Sequence, residues 1–343
     1  MNTLTVNLGE RSYQITVGSS LLSCVNKILN LNRRVFIVTD SGVPKEYAEK
    51  IKNQSLEAMI FTVNQGETSK SLNILEELLC AMLKFGLTRR DCAVAVGGGV
   101  VGDLTGLAAS LYMRGIDFYN VPTTLLSQVD SSIGGKTAIN FSGIKNIIGT
   151  FYQPKHVLID TDTLKTLPKR LIGAGLAESL KMALTFDSAL FEVFEQSQID
   201  EENIEKIILG SLKIKKAVVE EDEKESGLRK VLNFGHTFGH GIEALQSEAE
   251  NPLFHGECIA LGILPMSSPE IRKRLIPIYE KIGLPTKLNT DIEKALVFSA
   301  YDKKRDGGFI DVIFVNKIGS FEIKKCTFEE FSSLVCANAE ILI

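Results

Sequence analysis

Nowhere in its 343 residues does the sequence hold an apolar run long enough to cross a membrane, and Met1 to Glu10 shows no basic stretch followed by an apolar one. These absences lead to the expectation of a cytoplasmic protein without membrane contact. Basic charge is not in excess either. Lys and Arg number 38 against 42 Asp and Glu, and a net charge of -4 leaves no broad positive surface for nucleic acid. Any anion must then be met by a local cluster. The six cysteines, at 24, 80, 92, 258, 326 and 336, form no Cys-x-x-Cys pair and no disulfide framework. Several lie in apolar runs, which predicts buried free thiols, Cys258 among them. Internal repeats and low-complexity segments are also absent.

Histidine is scarce, and its placement is informative. Only four occur, and three fall in Asn233-Phe-Gly-His236-Thr-Phe-Gly-His240 and His255-Gly-Glu257. His236 and His240 are four apart, so on a helix they share one face. His255 reaches the same point if the chain turns at Asn251-Pro252. Three neutral imidazoles are the donors an open zinc-type site takes, whereas a lone histidine would more often be a hydrogen-bonded core residue. Glu178, three residues before Lys181 in an apolar helical stretch, is an alternative third donor.

The composition, 44% hydrophobic and 23% charged, is that of a soluble globular protein long enough for two domains. Leu4 to Val17 reads as an antiparallel hairpin. Val35 to Thr39, Ala58 to Val63 and Cys92 to Val96 are continuous apolar runs, separated by helices predicted at 44–52 and 69–85. Strands apolar throughout, alternating with helices, indicate a parallel sheet covered on both faces. The third run enters Gly97-Gly-Gly99-Val-Val-Gly102-Asp103, which matches a dinucleotide-binding turn, although such a turn normally follows the first strand. Asp40, ending the first apolar run, is the carboxylate best placed for a ribose. The fold expected is therefore an α/β nucleotide-binding domain over 1–160, Rossmann-like with a non-standard topology, and a mostly α-helical domain over 161–343. The acidic run Glu220 to Glu225 reads as a solvated loop, and 309–315 and 319–323 as strands.

Taken together, Gly-Gly-Gly-Val-Val-Gly-Asp at 97–103, Arg114-Gly, Pro-Thr-Thr at 122–124, Val-Asp-Ser-Ser-Ile-Gly-Gly-Lys at 129–136, Lys145-Asn146, Glu178 with Lys181, the histidine motif at 233–240 and His255-Gly-Glu resemble the 3-dehydroquinate synthase family. The resemblance runs from about residue 35 to about residue 320. It implies conversion of 3-deoxy-D-arabino-heptulosonate 7-phosphate, a phosphorylated sugar acid, into 3-dehydroquinate and phosphate, with NAD and a divalent metal, zinc or cobalt, in a homodimer. Glu178, His236 and His255 correspond to the metal ligands, and His240 becomes a substrate contact and proton-transfer residue. Asp130, Lys136, Asn146, Lys181, Lys215, Arg229 and Asn233 correspond to substrate positions, with Arg114, of the same or the neighbouring subunit, and Lys303 or Lys304 at the phosphate. For NAD the corresponding positions are Asp40, Gly66, Glu67, Lys70, Gly99, Val100, Val101, Gly102, Asp103, Thr123, Thr124, Lys136, Lys145, Thr163, Leu164, Lys165 and Thr166. Gly42 departs from the asparagine often found two residues after the Asp40 position. Another sugar phosphate cyclase, an NAD- and metal-dependent polyol dehydrogenase and a non-catalytic nucleotide-binding regulator are the alternatives.

Overall fold

Both sides of the strand Arg34–Asp40 are covered, which is why it shows no polar alternation. Phe36 and Val38 enter one apolar cluster, while Val35 and Ile37 enter another on the opposite face. The structure, a computed structural model, describes residues 1–246, 249–288, 291–301, 309–338, 340 and 342. Lys303 and Lys304 lie outside the described residues. The chain divides into two units, Met1–Leu167 and Pro168–Ile343.

The first unit is built on a seven-stranded sheet. Strands β1 (Asn2–Val6) and β2 (Tyr13–Gly18) form the antiparallel hairpin, closed by a short turn at Gly9–Arg11. Strand β3 (Arg34–Asp40), helix α1 (Lys45–Lys52), strand β4 (Glu57–Val63), helix α2 (Leu72–Lys84), strand β5 (Cys92–Gly97), helix α3 (Gly99–Leu111) and strand β6 (Asp117–Pro122) follow. A second hairpin, β7 (Lys136–Phe141) with β8 (Ile144–Phe151), stands apart from the sheet, and β9 (His156–Asp160) returns to it. The order is β1-β2-β9-β6-β5-β3-β4, parallel from β2 onward. Neither the second hairpin nor β9 is evident in the sequence pattern. The first hairpin, which the sequence sets apart from the parallel strands, joins their sheet through β9.

Because β4 lies on one side of β3 and β5 on the other, the direction of winding reverses at β3. A crevice opens at such a reversal, at the carboxyl ends of the strands. Asp40 ends β3 and Gly97 ends β5, so the sheet brings the ribose candidate and the glycine turn to the same edge.

The second unit is mostly helical: α4 (Lys169–Phe186), α5 (Ser188–Gln196), α6 (Glu201–Glu221), α7 (His236–Gln246), α8 (His255–Ile263), α9 (Pro269–Ile282), α10 (Ile292–Tyr301) and, after the hairpin of β10 (Phe309–Phe314) with β11 (Glu322–Thr327), α11 (Phe328–Ala337). Asp187, Asp200, Ser268 and Thr327 each accept a backbone N–H at the start of a helix, which explains where α5, α6, α9 and α11 begin. No described helix is long and apolar enough to cross a membrane. Cys92 and Cys258 are buried free thiols, as expected, whereas Cys24 and Cys326 are half-buried and Cys80 and Cys336 are exposed on helices, which corrects the expectation for those four. The apolar neighbours of Cys80 and Cys336 face inward while the thiols occupy the outer positions of the same helices.

Candidate active site and metal centre

The three clustered histidines do converge. Gly235, at φ +78°, turns the chain in a conformation side-chain-bearing residues seldom adopt and releases it into α7 at His236. His240 follows one turn later, and α8 begins at His255. The ring centroids lie 5.2 Å apart for His236 and His240, 5.4 Å for His236 and His255, and 5.7 Å for His240 and His255. One nitrogen from each falls within 4.8 Å of the other two. This approach depends on missing side chains. A Cβ at Gly256 would lie 1.9 Å from the carbonyl oxygen of Ala174 in α4, and one at Gly239 would meet the Cys258 carbonyl oxygen at 3.0 Å.

Helix α4 supplies the carboxylate. Glu178 is 1% exposed, and its Oε1 stands 3.7 Å from His236 Nε2 and 3.5 Å from His255 Nε2. Lys181 Nζ lies 2.5 Å from Oε2 and also donates to the Leu232 carbonyl. Among the described residues, no hydrogen-bond donor meets Oε1. A buried carboxylate oxygen without a donor, facing two ring nitrogens across gaps too long for hydrogen bonds, is the arrangement expected round a shared cation.

The other ring nitrogens fix how each imidazole faces. His236 Nδ1 is 3.1 Å from the Phe234 carbonyl oxygen and His255 Nδ1 is 3.0 Å from Glu243 Oε2. A carbonyl and an ionised carboxylate only accept, so both Nδ1 atoms carry hydrogen and both Nε2 atoms are left for a metal. This donor set, one carboxylate and two Nε2 atoms with a third imidazole alongside, fits zinc or cobalt. The charged groups of the cluster act on one another. Burial alone would raise the Glu178 carboxyl, but Lys181 and the two imidazoles outweigh it and hold it well below its usual range. Burial, with Lys181 beside it, depresses His236. Burial would also lower His255, yet Glu178 and Glu243 bring it up to about 9, so a metal must displace its proton.

Basic groups lie buried in the same unit. Lys181, Lys215 and Arg229 are 2%, 6% and 2% exposed, which is unusual for cations. Arg229 is held by a folded turn. Asp222 accepts the backbone N–H groups of Ser226, Gly227 and Arg229 at 2.9, 2.7 and 3.1 Å, and Arg229 donates to the Glu223 carbonyl at 2.5 Å. Burial would raise the Asp222 carboxyl, but these donors bring it down to about 2. The acidic run is solvated at Glu221 and Lys224, as its charge suggests, but Asp222 within it is buried. It folds back because one of its carboxylates faces inward. The turn puts Glu225, at φ +61°, within 2.9 Å of Asn233 Nδ2. Sequence reasoning missed Glu225, and the Ser226-Gly227 turn after the charged run was the available signal.

In the first unit the candidates also gather. Gly98 precedes α3, whose N-terminus at Gly99 to Val101 offers backbone N–H groups to an anion, while the Gly102 N–H closes the first helical turn onto the Gly98 carbonyl. Thr123 donates its N–H to the Gly97 carbonyl, which ties β6 to the glycine turn. Asp40 Oδ1 accepts from Gly42, and Gln65 occupies the volume a side chain at 42 would need. Lys70, 4% exposed, pairs with Asp103 at 2.7 Å and donates to Asn146 Oδ1, while Glu67 accepts from Asn140. Burial raises the Asp103 carboxyl to about 6 against the pull of Lys70. Val101 is fully buried in the core, so only its main chain is available to a ligand. Thr163 binds the Asp160 carbonyl and Thr166 binds Tyr47, both in the turn that carries Leu164 and Lys165. Asp130 lies in a π-helical turn after Thr124, Lys136 opens β7, Lys145 lies in β8, and Arg114 stands at φ +68° just past α3.

A parallel α/β unit followed by a helical unit is an architecture this chain shares with solved sugar phosphate cyclases and, at lower similarity, with glycerol dehydrogenases. A solved 2-deoxy-scyllo-inosose synthase, complexed with carbaglucose-6-phosphate, NAD+ and Co2+, shares the fold at a TM-score of 0.86 and 24% identity, covering 98% of this chain and 100% of that one. The 2-epi-5-epi-valiolone synthase of Streptomyces hygroscopicus subsp. jinggangensis 5008, with NAD+ and Zn2+ bound, gives 0.86 at 27% identity over 97% and 98% of the two chains. Residues 60–174 match the family model described as 3-dehydroquinate synthase N-terminal, and residues 175–305 the one described as 3-dehydroquinate synthase C-terminal. The 3-dehydroquinate synthase of Alkaliphilus metalliredigens (strain QYMF) is 40% identical over 98% of this chain and 98% of its own length. The chain belongs to the 3-dehydroquinate synthase family.

Proposed function

We propose that the chain converts 3-deoxy-D-arabino-heptulosonate 7-phosphate into 3-dehydroquinate and inorganic phosphate, as a carbon–oxygen lyase dependent on NAD and a divalent metal, zinc or cobalt. The observation that carries this reading is the buried Glu178 Oε1 set between the Nε2 atoms of His236 and His255. Curated relatives named for this activity, matched over nearly the whole chain, support the substrate. When bound, NAD would supply reversible hydride acceptance at a substrate alcohol, and a metal held by Glu178, His236 and His255 would supply polarisation of the oxygen on that carbon.

The chain's own residues divide the remaining work. Glu178, His236 and His255 hold the metal, and His240 moves a proton at the substrate. Lys181, Lys215, Arg229 and Asn233 of the second unit bind the anionic and hydroxyl groups. Asp130, Lys136 and Asn146 of the first unit are assigned to the substrate as well, with Arg114 at the phosphate from a partner subunit of a homodimer. Asp40 takes the ribose and the start of α3 the pyrophosphate. The enzyme works in the cytoplasm.

The test is to follow phosphate release from the heptulosonate phosphate with substoichiometric NAD. Turnover without accumulating NADH is expected. Conversion of the added NAD to NADH without phosphate release would make the protein a polyol dehydrogenase, and turnover of another sugar phosphate alone would make it a different cyclase.

A further inference from the structure

The two imidazoles that face Glu178 are anchored differently. His236 Nδ1 leans on a main-chain carbonyl, Phe234, two residues before it, so its orientation is set by the turn that begins α7. His255 is held by a more distant group. Its Nδ1 meets Glu243 Oε2, a side chain twelve residues away on a different helix, at 3.0 Å. Glu243 lies seven residues after His236 and three after His240, on the α7 face that packs against α8.

We infer that Glu243 is a positioning residue for the metal centre, orienting His255 and raising the donor strength of its Nε2. Three observations support this. The carboxylate can only accept, so it selects the tautomer with hydrogen on Nδ1 and leaves Nε2 facing Glu178 Oε1 at 3.5 Å. Its partner His255 is the first residue of α8, where no preceding helical turn restrains the ring. It also adds a negative charge beside a donor set that otherwise holds one carboxylate and a buried lysine, so a dication is better balanced with Glu243 than without it. Glu243 touches neither the metal nor the substrate in this assignment. Its effect passes through the ring.

The inference rests on the metal assignment, and its test separates the two. Zn2+ affinity is measured by chelator competition on the full chain without substrate, for the wild type, Glu243→Ala and Glu243→Gln, and the visible absorption of the Co2+-loaded proteins is recorded. Glu243→Ala should weaken Zn2+ binding about 10- to 100-fold and alter the Co2+ bands. Glu243→Gln should lose less, because its amide oxygen still accepts from Nδ1 while the charge is gone. NAD affinity, measured by calorimetry, should be the same in all three. If Glu243→Ala folds poorly, Glu243→Gln alone decides by the same readouts. Wild-type affinity and spectra in the variants would overturn the positioning role while leaving the metal site standing. Failure of the wild type itself to bind either metal would overturn the metal assignment, and the role of Glu243 with it.

Discussion

Lys181 holds its ammonium 2.5 Å from Glu178 Oε2, one helical turn away, and both side chains are almost wholly buried. A buried pair of this kind adds little net stability, but removing one member strands the other, at a cost of about 3–5 kcal/mol. A metal on Glu178 would take over part of the compensation. Lys181→Met should therefore destabilise the chelator-treated protein by several kcal/mol and the zinc-loaded protein by clearly less. Thermal melts with chelator and with zinc measure the difference. Equal losses in both would mean that no cation shares the Glu178 carboxylate.

The neighbouring histidines should separate by function. His236 has its Nδ1 engaged and its Nε2 facing Glu178, so His236→Ala should abolish tight metal binding. His240→Ala should keep the metal and lose turnover, because His240 is assigned to the substrate. Elemental analysis after dialysis, alongside kcat, distinguishes them. Similar metal loss in both variants would restore the three-imidazole site that spacing alone suggests.

Much of this architecture was legible because burial leaves a signature in the chain. Strands β3 and β5 lose all alternation when covered on both faces, and His236 and His240 show their common face through a spacing of four. The β7–β8 hairpin was not legible, since most of β8 is exposed and Gly143 and Gly149 interrupt its pattern. Strand β9 begins at His156 and ends at Asp160, which leaves an apolar run of only Val157 to Ile159, too short to stand out. Glu225 and Glu243 were missed for a different reason. A charged residue in a charged or amphipathic stretch looks solvated until tertiary contacts turn it inward. For Glu225 that contact is the fold of Asp222 onto three backbone donors, and for Glu243 it is the approach of α8 to α7 across Gly239.

Asp222 itself is open to test. Its carboxylate satisfies three backbone N–H groups in the turn that ends at Arg229, so Asp222→Ala should destabilise the protein by roughly 1.5–3 kcal/mol, the range for hydrogen bonds to a charged acceptor. Arg229 loses its anchored backbone, so KM for the phosphorylated substrate should rise more than kcat falls. Urea unfolding and steady-state kinetics report the two effects. A stability loss with unchanged KM would show that the turn supports the fold and not the substrate.

The last prediction concerns pH and the one histidine outside the cluster. His156 lies buried in β9, shares a 2.9 Å hydrogen bond with Thr16, and is pushed by burial from 6.5 down to about 4. Between these two values the unfolded chain binds a proton that the folded chain does not. Its contribution to stability is therefore complete above about pH 6.5 and declines as pH falls toward 4. His156→Gln removes this titration, although it also costs a constant amount of packing. Because the clustered histidines titrate in both proteins, the informative quantity is the difference between the wild type and the variant. Urea midpoints measured between pH 7 and pH 4 should show the wild-type advantage shrinking as pH falls. Curves that stay parallel over the whole range would mean that His156 carries its proton in the folded state as readily as in the unfolded one.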